Sequence, residues 1–182
     1  MGGEITVAVL IAVHNRLEFT SRCISCLRSS SGSAKLKIII IDDGSTDGTS
    51  EWLAMNAPDF IRLRGDGNQW FGGATELGID YVKANLPDVD YIFSLNNDAF
   101  MLAGGIEALI AESKGNATVE GLVLSDRDGH IHSFGGFSHR WRGWVDPVTG
   151  WYIESHPELV RWISQAAEML NTGCTPIPMK WI

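Results

Sequence analysis

Apolar and polar positions along the chain follow two alternating periods. Residues 7–13 are an unbroken apolar run, and Ile38-Ile39-Ile40-Ile41 form a second. Runs this short, bounded by turn residues, read as strands buried on both faces, as in a parallel sheet. Residues 61–63 and 91–95 add a third and a fourth strand. Between the strands the period lengthens. Thr20, Cys23, Ile24 and Leu27 recur at helical spacing, and a polar loop at 29–33 follows. Ser45 or Asp47 can cap a helix carrying Trp52 and Leu53. Ala74, Leu77, Gly78, Tyr81 and Val82 mark the next helix, and Ile106, Leu109 and Ile110 another. Strands alternating with helices predict a parallel sheet with right-handed crossovers.

The pattern changes after residue 118. Residues 119–124 and 130–134 flank Asp126-Arg127-Asp128-Gly129, and Asp-Gly between alternating apolar positions signals a hairpin. Trp141, Trp144, Trp151, Tyr152 and Trp162 crowd the segment after the hairpin. There is no internal repeat and no low-complexity linker. A length of 182 residues suits one domain, 1–182, with an α/β half at 1–115 and a mixed half at 116–182.

Composition narrows the class. Hydrophobic residues at 45% and charged residues at 20% fit an ordinary globular chain. A net charge of -8 argues against a nucleic-acid surface. Three cysteines without a signal peptide point to reduced thiols and a cytoplasmic setting. Cys23 and Cys26 have the spacing of a redox or zinc pair. They sit in an apolar helical pattern with no second pair, so core packing is expected. No apolar run approaches the roughly 20 residues of a membrane span, which is compatible with peripheral association.

The chemistry gathers where strands end. Asp42 and Asp43 close the second strand, at the edge where open α/β sheets hold ligands. Two carboxylates there are costly unless they bind something. They cannot cradle a phosphate, but they can accept from a base or ribose or approach a cation. Asp43 is the candidate acceptor for a ring N–H and Asp42 a structural cap; alternatively, both cap the next helix. His14, after the first strand, can stack on or bond to a base, or it is a surface histidine. Asn96-Asn97-Asp98 closes the fourth strand. A hard divalent cation that keeps waters and bridges substrate phosphates needs only one carboxylate here, and the plainer alternative is a turn. Residues 65–73 hold four glycines and open the third helix. Glycines allow close backbone approach and a helix N-terminus suits a diphosphate; a flexible loop with an ordinary cap is the other possibility. Neither G-x-G-x-x-G nor G-x-x-x-x-G-K-[ST] occurs, which disfavours dinucleotide enzymes and P-loop NTPases.

Four segments in this order resemble family 2 glycosyltransferases. They are Val9-Leu10-Ile11-Ala12-Val13-His14-Asn15-Arg16, Ile41-Asp42-Asp43-Gly44-Ser45-Thr46-Asp47-Gly48, residues 68–79, and Leu95-Asn96-Asn97-Asp98. The rhamnosyltransferase-like branch is the closest in flavour. The resemblance is strong over residues 5–115 and weak beyond. It implies a GT-A fold: α/β, a mostly parallel sheet flanked by helices, with a mixed, hairpin-containing second half. It implies a nucleotide-diphosphate sugar donor and Mg²⁺ or Mn²⁺. By position, Ala12, His14 and Arg16 would line the nucleotide pocket and Asp43 would contact the base. Asn97 would lie near ribose and sugar, and Asp98 would bind the metal. Residues 1–115 become the nucleotide-binding half and 116–182 an incomplete acceptor side. Asn171-Thr172-Gly173-Cys174 resembles a segment beneath the acceptor site.

The chain departs from that pattern in places. One carboxylate stands where the family has Asp-x-Asp, Glu76 where asparagine is usual, and Trp70 where glycine is common. The family's acidic base is expected beyond Ile182; Asp146, Glu154, Glu158 and Glu168 lack its motif context. The implied activity is inverting, metal-assisted transfer of a hexosyl or deoxyhexosyl group to an acceptor hydroxyl. That acceptor would be a polysaccharide, lipid-linked or cell-surface glycan, in cell-envelope polysaccharide biosynthesis. The rival is an inactive nucleotide-sugar-binding module lacking the base. A sugar nucleotidyltransferase is disfavoured, because no Gly-rich, Arg-containing loop follows the first strand. Trp141, Trp144 and Trp151 form either a sugar-stacking surface or core.

Overall fold

The computed structural model describes residues 4–30, 32–101 and 103–113, with strand residues 123–124, 131–133, 136–138 and 145–147. Its elements follow the two periods. Strands β1 (Thr6–Val13), β2 (Lys35–Asp42), β3 (Ile61–Arg64) and β4 (Tyr91–Asn96) alternate with helices α1 (Leu17–Ser29), α2 (Thr49–Asn56), α3 (Trp70–Asn85) and α4 (Gly105–Ser113). The four strands form one sheet in the order β3-β2-β1-β4, and every pairing is parallel. The strand β2 starts three residues before its isoleucines. Lys35, Leu36 and Lys37 stay in the ladder because Thr6, Val7 and Ala8 lie opposite them.

Alternation of side chains along β1 sorts the core into two layers. Val7, Val9, Ile11 and Val13 join Ile40 and Leu95 on one face, against Ile24 and Leu27 of α1, Leu53 of α2 and Ile106 of α4. Ala8 and Leu10 join Ile39 and Ile41 on the other, against Ala74 and Val82 of α3. Full burial of a Leu or Ile side chain stabilises by about 1.5–3 kcal/mol. An exposed ion pair such as Arg28–Asp59 contributes about 0–1 kcal/mol. The apolar sandwich therefore sets the architecture.

Two expectations about helices need correcting. Leu77 is not on the packed face of α3 but exposed; the buried stripe is Ala74, Gly78 and Val82. A Cβ on Gly78 would lie 3.0 Å from Ile41 Cδ1 and 3.1 Å from Leu10 Cδ1. The helix rides so close to the sheet that only a narrow stripe fits beneath it. The N-cap of α2 is Gly48, in the left-handed region, and not Ser45 or Asp47. Asp47 acts from one position earlier, its Oδ1 accepting from the Thr49 N–H at 3.1 Å, while Ser45 Oγ accepts from the Asn15 N–H.

Cys23 is buried on α1, its thiol facing the Asn96 carbonyl at 3.7 Å. Burial pushes that thiol up to about 12. Neither Cys23 nor Cys26 is in a disulfide, and core packing is what the structure gives Cys23. Beyond α4, β5 (Val123–Leu124) pairs antiparallel with β6 (Ile131–Ser133), as the hairpin signal predicts. A second antiparallel pair, β7 (Gly136–Ser138) with β8 (Val145–Pro147), was not anticipated. Three-residue strands holding glycine and proline carry no readable period. Trp141, Trp144, Trp151, Tyr152, Trp162, Glu154, Glu158, Glu168 and residues 171–174 lie outside the described residues.

Candidate active site

The strand order creates a crevice. The chain leaves β1 towards β2 and β3, then crosses back to place β4 on the other side of β1. The loops after β1 and β4 diverge at such a switch, and ligands bind outside the strands' carboxyl ends. A cavity of about 430 Å³ lies here. Ala12, Val13, His14, Arg16, Asp43, Gly67, Trp70, Phe71, Ala74, Asn96, Asn97 and Asp98 line it. All six residues singled out from sequence, Ala12, His14, Arg16, Asp43, Asn97 and Asp98, are brought together.

Hydrogen bonds between loops build the walls. Asn15 and Arg16 are both left-handed, with φ of 57° and 61°. Asn15 takes the Thr46 N–H on its side-chain oxygen at 2.7 Å and gives its own N–H to Ser45 Oγ. Asp47 Oδ2 accepts from the Leu17 N–H at the start of α1. These bonds tie the β1 loop to the β2 loop and turn His14 and Arg16 towards the crevice. His14 Nδ1 donates to the Asp43 carbonyl, so a neutral ring keeps Nε2 as an acceptor.

Asp42 and Asp43 divide their work. Asp42 Oδ1 accepts from the Ser45 N–H at 2.9 Å and Oδ2 from the Ser50 hydroxyl, so it braces the turn into α2 and is not the helix cap expected of it. Asp43 is buried at 5% exposure, and its carboxylate reaches across to the loop before α3. Oδ1 accepts from the Gly67 N–H at 2.8 Å and Oδ2 from the Trp70 N–H at 3.0 Å. Gly65 must be glycine for this clasp, since a Cβ there would fall 2.3 Å from Asp43 Oδ1. The loop's close approach is thus to Asp43. The anion at this helix start is a side chain of the protein itself, where the sequence suggested a diphosphate.

The β4 end carries the charge. Arg16 Nη1 donates to Asp98 Oδ2 at 2.9 Å across the cavity mouth, both side chains being well exposed. Asn97 Nδ2 donates to Thr20 Oγ1 of α1 at 3.1 Å, which fixes the turn. Among the described residues no three His, Cys, Asp or Glu side chains gather to hold a metal ion. Among the described residues Asp98 offers the carboxylate at this end, beside the amide groups of Asn96 and Asn97. That suits Mg²⁺ or Mn²⁺ completed by water and substrate phosphate, and does not suit a resident ion in a protein cage.

The glycosyl transferase family 2 model matches residues 8–176. The chain belongs to glycosyl transferase family 2. Solved structures agree with this family 2 assignment in fold. The mannosyltransferase PcManGT from Pyrobaculum calidifontis, in complex with GDP-Man and Mn²⁺, superposes with a TM-score of 0.54 at 15% identity, over 69% of this chain and 36% of that one. TarS 1-349 from S. aureus, in complex with UDP-GlcNAc, gives 0.56 at 11% identity, over 74% of this chain and 39% of that one. The family 2 fold here is therefore the α/β GT-A type, and the chain spans less than half the length of these two structures. No curated protein matches it by sequence.

Sequence reasoning passed over two wall residues. Trp70 and Phe71 fall inside the 65–73 segment singled out for its glycines, and Trp70 also departs from the family's glycine, but neither is read there as a wall of the site. The available signal was two consecutive aromatics at the start of a helix, where polar residues usually face water.

Proposed function

We propose that this chain binds a nucleotide-diphosphate sugar in the crevice between β1 and β4 and serves its transfer to an acceptor hydroxyl. The observation that carries the reading is the meeting of His14, Asp43 and Asp98, far apart in sequence, around one nucleotide-sized cavity. His14 and the Asp43 corner receive the base, with Ala12 beneath it. Asn97 faces ribose and sugar. Arg16 supplies a planar guanidinium suited to phosphate oxygens. Asp98 would hold Mg²⁺ or Mn²⁺, which when bound neutralises charge on the departing diphosphate. The GDP-Man with Mn²⁺ in one neighbour and the UDP-GlcNAc in another support a diphosphate donor.

At its finest, the reading is inverting hexosyl or deoxyhexosyl transfer of the rhamnosyltransferase-like branch. The acceptor is a polysaccharide, lipid-linked or cell-surface glycan made for the cell envelope by a cytoplasmic enzyme. Residues 1–182 act as one domain with a donor half and an acceptor half. Motif order supports this detail. One observation favours the rival, a nucleotide-sugar-binding module without turnover. Both carboxylates of the described cavity are committed, Asp43 to two backbone N–H groups and Asp98 to Arg16, so neither stands ready to deprotonate an acceptor.

Calorimetry with UDP and GDP, with and without Mn²⁺, tests the core reading. Wild type should bind at least one of them, at least about tenfold tighter with Mn²⁺, a difference of about 1.4 kcal/mol. Asp98→Ala should erase the Mn²⁺ dependence and keep a native circular dichroism spectrum. Equal wild-type affinity with and without Mn²⁺ removes the metal role. Sugar release from UDP- and GDP-sugars then separates transferase from binding module.

A further inference from the structure

Trp70 is the residue whose backbone and exposure the fold leaves unexplained. It is the first residue of α3 and has φ of 53°. For a bulky side chain that conformation is an outlier, and such strain persists only where surroundings enforce it, often at ligand sites. The enforcement is visible: the buried Asp43 carboxylate holds the Trp70 N–H. The conformation secures no packing, because Trp70 is 82% exposed, more than any other large apolar residue described. Yet Trp70 lines the cavity, and Phe71 beside it is 41% exposed. A strained backbone thus presents a bare indole to a crevice.

The charges say which part of a ligand meets it. Arg16 and Asp98 mark the polar end of the cavity. Elsewhere in its lining His14 and Trp70 are both anchored on Asp43, the ring through the Asp43 carbonyl and the indole residue through the carboxylate. A nucleoside diphosphate has the matching polarity, phosphates at one end and a flat base at the other. Resting on the donor-pocket reading above, we propose that the Trp70 indole is the stacking wall for the nucleotide base, held open by the Asp43 clasp. Every base has a π-face, so this wall adds affinity without choosing between bases. Hydrogen bonding at the Asp43 corner supplies the choice.

Calorimetry on the full chain with Mn²⁺ tests it, using UDP, GDP and pyrophosphate as probes against wild type, Trp70→Gly and Trp70→Phe. Loss of one stacked base weakens binding by about five- to 150-fold. Trp70→Gly should show that loss for the nucleotide that wild type binds and none for pyrophosphate, while Trp70→Phe keeps most of the affinity. Ligand-free Trp70→Gly should melt no lower than wild type, since glycine accepts a positive φ without strain. Undiminished nucleotide affinity in Trp70→Gly overturns the proposal. So does an equal loss for pyrophosphate, which would mean that only the loop had moved. A loss seen with UDP-GlcNAc or GDP-Man but not with UDP or GDP reassigns the wall to the sugar and overturns the base assignment. If wild type binds none of the probes, the donor pocket itself falls, and this wall with it.

Discussion

Asp43 joins three parts of the site through four bonds. Its N–H reaches the Val13 carbonyl, its carbonyl takes His14, and its two carboxylate oxygens hold Gly67 and Trp70. The sequence placed both aspartates at a ligand-facing strand end and assigned helix capping to Asp42, which instead braces the turn before α2 through Ser45 and Ser50. It hid the clasp, because no periodicity encodes a bond to residues 24 and 27 positions away across a crossover. Cys23 was legible for the opposite reason: helical spacing alone put it inside. Burial, chiefly, pushes its thiol up from an ordinary 9.0 to about 12. Native Cys23 should therefore resist iodoacetamide at pH 8 and become labelled in denaturant, as mass mapping would detect; ready native labelling would contradict its burial. The folded state keeps this proton after the unfolded chain has released it, so stability declines as pH climbs from about 9 towards 12.

At the level of elements, strand and helix identity followed from the change of period, since buried parallel strands need unbroken apolar runs and their helices need a stripe. Depth of packing did not follow. Gly78 carries no side chain to announce itself, yet it sets how closely α3 lies on Leu10 and Ile41. Leu77 fits the wider stripe of an ordinary amphipathic helix, but the close approach at Gly78 narrows the buried stripe to Ala74, Gly78 and Val82. Gly78→Leu should lift α3 from the sheet and cost about 1–3 kcal/mol through overpacking. Urea melts should show a lower midpoint with an unchanged slope, and an unaltered midpoint would mean that the contact is loose. The short β7–β8 pair lay below any pattern, its backbone bonds being indifferent to which side chains it carries.

For the molecule as a whole, convergence of three strand ends was readable, because parallel strands end on one edge. The order β3-β2-β1-β4 was not readable, because neighbours in a sheet are chosen by packing between distant segments. Ligand linkage offers a global test. A ligand that binds only the folded state, at a hundred times its dissociation constant, adds about 2.7 kcal/mol of stability, or roughly 5–10 °C in melting temperature for a chain this size. UDP or GDP with Mn²⁺ should produce such a shift. A flat response across both nucleotides and a panel of their sugars would deny the crevice a donor.

The place of β1 in the sheet has a cost during synthesis. Of the four sheet strands it is made first and is the most apolar, yet its partner β4 starts at Tyr91, and the Thr6 N–H waits for Asp90, 84 residues later. A nascent chain emerging from the ribosome must hold one flank of Thr6–Val13 bare until residue 96 appears. Half-made molecules are then the sticky ones, and aggregation during expression should concentrate in translation products that stop before β4.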